Sequence, residues 1–91
     1  MPFELSYHSD VKDIDIPLLN ETLKKRIKNA IETRLMTAPH QYGKPMRKTL
    51  KGYWKLRVGD YRVVFKISSN EVLILGIIHR KKVYEMIGKR T

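Results

Sequence analysis

Three cations, Lys55, Arg57 and Arg62, crowd one stretch of the chain, Gly52 to Ile67, which reads GYWKLRVGDYRVVFKI. Gly59-Asp60 is a two-residue turn with glycine first, suited to a type II′ hairpin. That turn sets Val58 opposite Tyr61, Arg57 opposite Arg62, Leu56 opposite Val63, Lys55 opposite Val64 and Trp54 opposite Phe65. Alternation then gives one apolar face, formed by Trp54, Leu56, Val58, Tyr61, Val63 and Phe65. The other face carries Tyr53, Lys55, Arg57, Arg62, Val64 and Lys66. Like charges directly opposite destabilise a sheet, so a bound anion is the economical reason for them. A set of Lys, Arg and Tyr suits cleavage of RNA by its own 2′-hydroxyl. That reaction needs a base at the 2′-oxygen, cations around the developing oxyphosphorane, and an acid at the 5′-oxygen. A lysine set among other cations gives up its proton more readily, which is what the base requires. Passive binding of nucleic acid by a basic sheet uses the same residue types.

The hairpin needs a frame. Phe3 to His8 alternates and carries aromatics, so it reads as a short strand. Residues 20–36, NETLKKRIKNAIETRLM, form the clearest helix, with Asn20 as cap and Glu21 in its first turn. Leu19, Leu23, Ile27, Ile31 and Leu35 recur every fourth residue with Ala30 beside them, giving one apolar stripe. Glu21 and Lys25 are spaced for an i,i+4 pair. The connection TAPHQYGKPMRKTLKG is strongly basic through Lys44, Arg47, Lys48 and Lys51, which either grip phosphates or stand in solvent. After the hairpin, SSNE turns the chain into VLILGIIHR, apolar on both faces and therefore inside the sheet. Gly76 marks a bulge or a close approach there. KKVYEMIGKRT ends the chain as a short helical or irregular tail. The expected fold is α+β: one domain over residues 1–91, a small antiparallel twisted sheet with N-terminal helices on one face, its other face partly open and basic.

Composition narrows the chemistry. The chain has 91 residues, with 19 Lys and Arg against 9 Asp and Glu, a formal +10. Such a field predicts an acidic partner: nucleic acid, an anionic membrane surface or an acidic protein. With no cysteine, thiol catalysis and cysteine-ligated metal are excluded. His8, His40 and His79 lie far apart without spaced carboxylates, so no metal or other cofactor is expected. The first residues, MPFELSYHSD, lack the pattern of a secretory signal, and the longest apolar run, VLILGII, is too short to span a bilayer. The expected compartment is the cytoplasm, with no membrane partner.

LKGYWKLRVGDYRVVFKI followed by HRKKVYE resembles the RelE/ParE superfamily of toxins from toxin–antitoxin pairs, and within it the RelE-type messenger-RNA interferases. KPMRKTLKG before the hairpin is similar to that family's basic loop. The resemblance implies a metal-independent endoribonuclease that cuts messenger RNA in the ribosomal A site through the 2′-hydroxyl. It implies a RelB-like antitoxin as partner. It assigns catalysis to Lys55, Arg62, Arg80 and Tyr84. Lys55 would assist base work or stabilise charge, Arg62 would hold the transition state, and Arg80 would neutralise or protonate the leaving oxygen. Tyr84 would stack on a nucleobase and take part in proton transfer. Lys44, Arg47, Lys48, Lys51, Arg57, Lys81 and Lys82 would contact RNA. One position departs from the best-known RelE pattern: Tyr53 stands where a second lysine precedes the first. His79 is a further candidate for proton transfer, or a structural residue at a strand end. A ParE-like poison of DNA gyrase and a non-catalytic nucleic-acid-binding module are the competing readings, since fold alone does not decide function.

Overall fold

The computed structural model describes residues 3–91; Met1 and Pro2, which the single-domain reading includes, lie outside the described residues. Five strands form one sheet in the order β1-β5-β4-β3-β2. They are β1 (Glu4–Tyr7), β2 (Lys44–Pro45), β3 (Trp54–Val58), β4 (Tyr61–Ser68) and β5 (Glu71–His79). Helix α1 (Glu21–Ala30) and the short α2 (Pro39–Tyr42) lie between β1 and β2, and α3 (Val83–Arg90) closes the chain.

The β3–β4 hairpin has the expected register, from Val58 opposite Tyr61 to Trp54 opposite Phe65. Gly59 opens its turn at φ +60°, the left-handed conformation that favours glycine. Magnitudes explain why the pairing of Arg57 with Arg62 is tolerated. Cross-strand repulsion amounts to under about 1 kcal/mol. Leu56, Val58, Val63 and Phe65 are buried behind the same strands, and each contributes about 1.5–3 kcal/mol.

In one respect the sheet is not the expected antiparallel one. β1 runs parallel to β5, from Glu4 opposite Glu71 to Tyr7 opposite Ile74. A four-residue edge strand carries no hairpin signal to fix its direction, and here the helical crossover delivers it parallel. The fold class stands as α+β. β5 lies between β1 and β4, as its two apolar faces require. Its register against β4 slips after Val64, which pairs with Gly76, while Phe65 pairs with Ile74. Leu75 is the extra residue. Gly76 also marks a close approach: a Cβ there would sit 2.7 Å from Cδ1 of both Ile78 and Ile87.

Two cores sandwich the sheet. On one side α1 lays Ile27, Ala30, Ile31 and Leu35 against Leu56, Val63, Phe65, Val72 and Ile74. The helix is capped as expected, Asn20 Oδ1 accepting from the Leu23 N–H at 2.8 Å. Its first-turn Glu21 pairs with Lys24 at 3.3 Å and not with Lys25. A stripe with strict fourfold spacing drifts about 40° per step on an ideal helix. The wider π-helical turn over Ile31–Leu35 takes up that drift and keeps both ends of the stripe buried.

The second face is less open than the sequence suggests. Val83 and Ile87 of α3 pack on Val64, Leu75 and Ile78, joined by Met46 and Leu50. The part of this face toward the β3–β4 turn remains free for Lys55, Arg57 and Arg62. What seals α3 down is an ion pair that the sequence reading did not find. The Arg90 guanidinium donates to both carboxylate oxygens of Asp15, Nη1 at 2.7 Å and Nη2 at 2.8 Å. Nη1 also donates to the Leu75 carbonyl at 3.0 Å, and Asp15 accepts the Ile77 N–H at 2.9 Å. The side chains are only 3% and 4% exposed. The hydrogen bond from Arg90 to Asp15 raises the pKa of Arg90 above its ordinary value, so the guanidinium stays charged.

Candidate active site

A cleft of about 250 Å³ opens where the hairpin turn meets the start of α3. Lys55, Arg62, Arg80, Lys81 and Tyr84 line it, over an apolar floor of Met46 and Val83. The four residues assigned to catalysis on sequence grounds thus converge, although they come from β3, β4, the β5–α3 turn and α3.

Each is positioned by the backbone around it. Arg62 Nη1 donates to the carbonyls of Gly59 and Tyr61, both at 3.0 Å. A guanidinium has five N–H groups in a fixed fork. With Nη1 engaged by the turn, Nε and Nη2 remain as a pair suited to two oxygens of one phosphate. Burial, with Arg57 and Arg80 nearby, lowers the pKa of Arg62 from its ordinary value, and Asp60 opposes this. Burial is the larger cause, and the two neighbouring guanidinium groups add to it. Arg80 is set by the same turn: its N–H donates to the Asp60 carbonyl at 2.8 Å. Its Nε lies 3.8 Å from the Asp60 carboxylate, an exposed pair of little energetic weight. Tyr84 sits in the first turn of α3 and is 50% exposed, while its neighbours Val83 and Ile87 are buried and fix the helix under it.

The proposed RNA-contacting residues divide. Lys81 joins this cleft, and Lys44 and Arg57 line an adjoining one together with Lys55 and Arg62. Arg47, Lys48 and Lys51 are exposed on the loop before β3 but line neither. Lys82 points to a different depression, beside Ile14, Leu18 and Met86. His79 goes with it. It pairs with Tyr61, whose side chain faces away from that of Arg62. Its ring stands edge-on to Tyr61 at 5.7 Å, and its Nδ1 accepts the Lys81 N–H at 3.3 Å. This is the structural alternative for His79. Tyr53 lies outside the cleft, with the Lys66 ammonium 5.9 Å from its ring. Among the described residues no three His, Asp or Glu side chains gather in a metal-binding group. Among the described residues no helix is long and apolar enough to cross a membrane.

Two residues that the sequence reading passed over, Arg34 and Tyr42, line the adjoining cleft. Arg34 lies off the apolar stripe of its helix, and nothing in the spacing of Tyr42 ties it to the hairpin. The one available signal was an aromatic set inside a run of cations.

Comparison with known proteins adds a second line of evidence. A family model described as "ParE toxin of type II toxin-antitoxin system, parDE" matches residues 4–84. Toxin RelE of Mycobacterium tuberculosis is 43% identical over 54 residues, which are 57% of this chain and 56% of that protein. The match therefore spans little more than half the length of that relative. Toxin RelE3 of Methanocaldococcus jannaschii is 30% identical over 66 residues, 69% of this chain and 75% of that protein. A chain in the crystal structure of the toxin-antitoxin complex RelBE2 from Mycobacterium tuberculosis superposes with a TM-score of 0.76 at 25% identity. That superposition covers 88% of this chain and all of the other.

Proposed function

Since this chain belongs to the RelE/ParE superfamily of toxins from toxin–antitoxin systems, we propose that it is a ribosome-dependent endoribonuclease that cuts messenger RNA in the A site. The observation that carries this reading is the convergence of Lys55, Arg62, Arg80 and Tyr84 on one cleft. The 2′-hydroxyl attacks the adjacent phosphorus as Lys55 takes its proton or offsets its developing charge. The free edge of Arg62 holds the non-bridging oxygens, whose charge grows in the transition state. Arg80 neutralises the 5′-oxygen as the P–O bond breaks. The 5′-oxygen takes a proton from Arg80 or from solvent, so a 2′,3′-cyclic phosphate and a 5′-hydroxyl result, with no metal in the scheme. Tyr84 stacks on a base and holds the phosphate in line for attack.

The partners in this reading are the ribosome, messenger RNA and a RelB-like antitoxin, all in the cytoplasm. An antitoxin with an acidic segment would complement the +10 charge. Co-purification with a small acidic protein encoded beside it tests that part.

The nuclease reading is tested by primer extension on messenger RNA in a translating extract. Wild type is expected to give discrete cuts within codons, and Arg62→Ala to lower the rate ~10²–10³-fold. Uncut message in a translating extract refutes it. The match to a ParE model favours one alternative, a gyrase poison without chemistry of its own. Stalled gyrase–DNA cleavage complexes would then accumulate in cells expressing the protein, with messenger RNA intact.

A further inference from the structure

Large apolar side chains exposed among the described residues are Ile14, Leu18, Tyr42 and Tyr84. The two aromatics share a setting. Tyr84 stands on the cleft that holds Lys55 and Arg62, and Tyr42, 51% exposed, stands on a second cleft that holds the same pair. This second cleft measures about 340 Å³, and its other cations are Arg34, Lys44 and Arg57. No carboxylate lines either cleft. The two clefts thus meet at Lys55 and Arg62 and form one cationic track with an aromatic near each end.

Local structure explains why the track is open and why Tyr42 is held in it. β2 is two residues long and covers β3 only at Lys55 and Trp54. From Leu56 to Val58 the outer edge of β3 has no strand beside it, and the cleft lies over that gap. Tyr42 ends α2, and the next residue, Gly43, is buried so closely under Phe65 that a Cβ would lie 2.5 Å from its ring. The backbone is pinned there, which fixes where the Tyr42 side chain leaves the chain on the rim of the cleft. The Arg34 guanidinium carbon lies 5.9 Å from the centre of the ring, within cation–π range.

An exposed aromatic beside cations with no carboxylate among them is the arrangement that binds a single-stranded nucleotide: the ring takes the base and the cations take the phosphate. We propose that this second cleft is a nucleotide subsite for the residue on the 5′ side of the scissile phosphate, the one that carries the attacking 2′-hydroxyl. Its base stacks on Tyr42 and its own 5′-phosphate lies on Arg57 and Lys44. The side follows from Arg80, which attends the leaving 5′-oxygen and lies across Lys55 and Arg62 from Tyr42. The proposal rests on the nuclease reading.

The test is single-turnover cleavage on programmed ribosomes, using templates with either a normal or an abasic nucleotide on the 5′ side of the cut. Tyr42→Ala is expected to raise the half-saturating toxin concentration about five- to a hundredfold, the worth of one stacked base. Tyr42→Phe keeps the ring and is expected to stay within about twofold of wild type on the same reasoning. On the abasic template wild type falls to the level of Tyr42→Ala, and Tyr42→Ala loses nothing more. Equal urea midpoints for the three proteins establish that the loss is not one of folding, and Tyr42 is exposed enough to permit it. A Tyr42→Ala protein that cuts like wild type, or that loses as much on the abasic template as on the normal one, overturns the subsite alone. A wild type that cuts neither template overturns the nuclease reading and the subsite with it.

Discussion

Arg90→Met tests the clasp that holds α3 against the sheet. It removes two hydrogen bonds to Asp15, one to the Leu75 carbonyl and the ion pair with the more exposed Asp10, 3.5 Å from Nε. It leaves the Asp15 carboxylate 4% exposed, with the Ile77 N–H at 2.9 Å as its close partner. Breaking a buried pair from one side costs about 3–5 kcal/mol. For a domain of this size that lowers Tm by at least ~12 °C, and it is a large part of a total stability of ~5–15 kcal/mol. Asp15→Leu should also cost stability, because it takes away the two-point partner of the guanidinium and leaves it the Leu75 carbonyl and, 3.5 Å from Nε, the Asp10 carboxylate. The double variant, Asp15→Leu with Arg90→Met, leaves no buried charge behind. Its loss is mainly that of the partners of the Ile77 N–H and the Leu75 carbonyl. Equilibrium urea unfolding of all four proteins gives the cycle. The double variant should be more stable than either single one. If it loses the sum of the two single losses, or if each single variant loses under ~1 kcal/mol, the clasp does not act as a coupled buried pair and the reasoning fails.

Further outcomes follow from other parts of the molecule. Gly76→Ala forces a methyl within 2.7 Å of Ile78 and Ile87; it should lower stability by about 1–3 kcal/mol in urea, and an unchanged midpoint would mean the α3 contact is looser than described. Burial, reinforced by Glu32, raises the pKa of Tyr7 above 10.0. The folded chain therefore holds that proton more tightly than the unfolded one, and its contribution to stability is lost as pH rises from about 10 through the folded value. Tyr7→Phe should remove that part of the alkaline loss, so its stability curve should fall less steeply than wild type above pH ~10; parallel curves would count against the assigned burial. Tyr84→Ala should slow cleavage by about five- to a hundredfold through lost stacking, with Tyr84→Phe between it and wild type. An alanine variant as fast as wild type removes Tyr84 from the site.

What could be read from the residues depended on how local the signal was. The hairpin register was legible because Gly59-Asp60 fixes it within two residues, and the positions of Arg57 and Arg62 followed. The helix and its cap were legible for the same reason, in the spacing of Leu19 to Leu35 and in Asn20. The direction of β1 was not, because it depends on which strand it reaches after the crossover. Nor was the Asp15–Arg90 pair, whose members lie 75 residues apart with no periodicity to connect them. Arg80 and Tyr84 were assigned through family resemblance; their spacing alone says nothing of a cleft formed with Lys55. The face of His79 could have been derived by carrying the register one strand further, from Tyr61. Tyr42 could not, since its role depends on β2 ending after two residues.

The turn that holds Arg62 has one more property. Its anchors are main-chain carbonyls of Gly59 and Tyr61, and the neighbouring Arg80 is tied to the carbonyl of Asp60. Every residue type supplies such a carbonyl, so the geometry belongs to the bend and not to the side chains that flank it. Substitutions along the hairpin can therefore accumulate without disturbing how the two guanidinium groups are presented, provided the bend survives. The vulnerable position is the glycine at φ +60°, which carries no charge, yet sets the aim of the Arg62 guanidinium and the point at which Arg80 leaves the sheet.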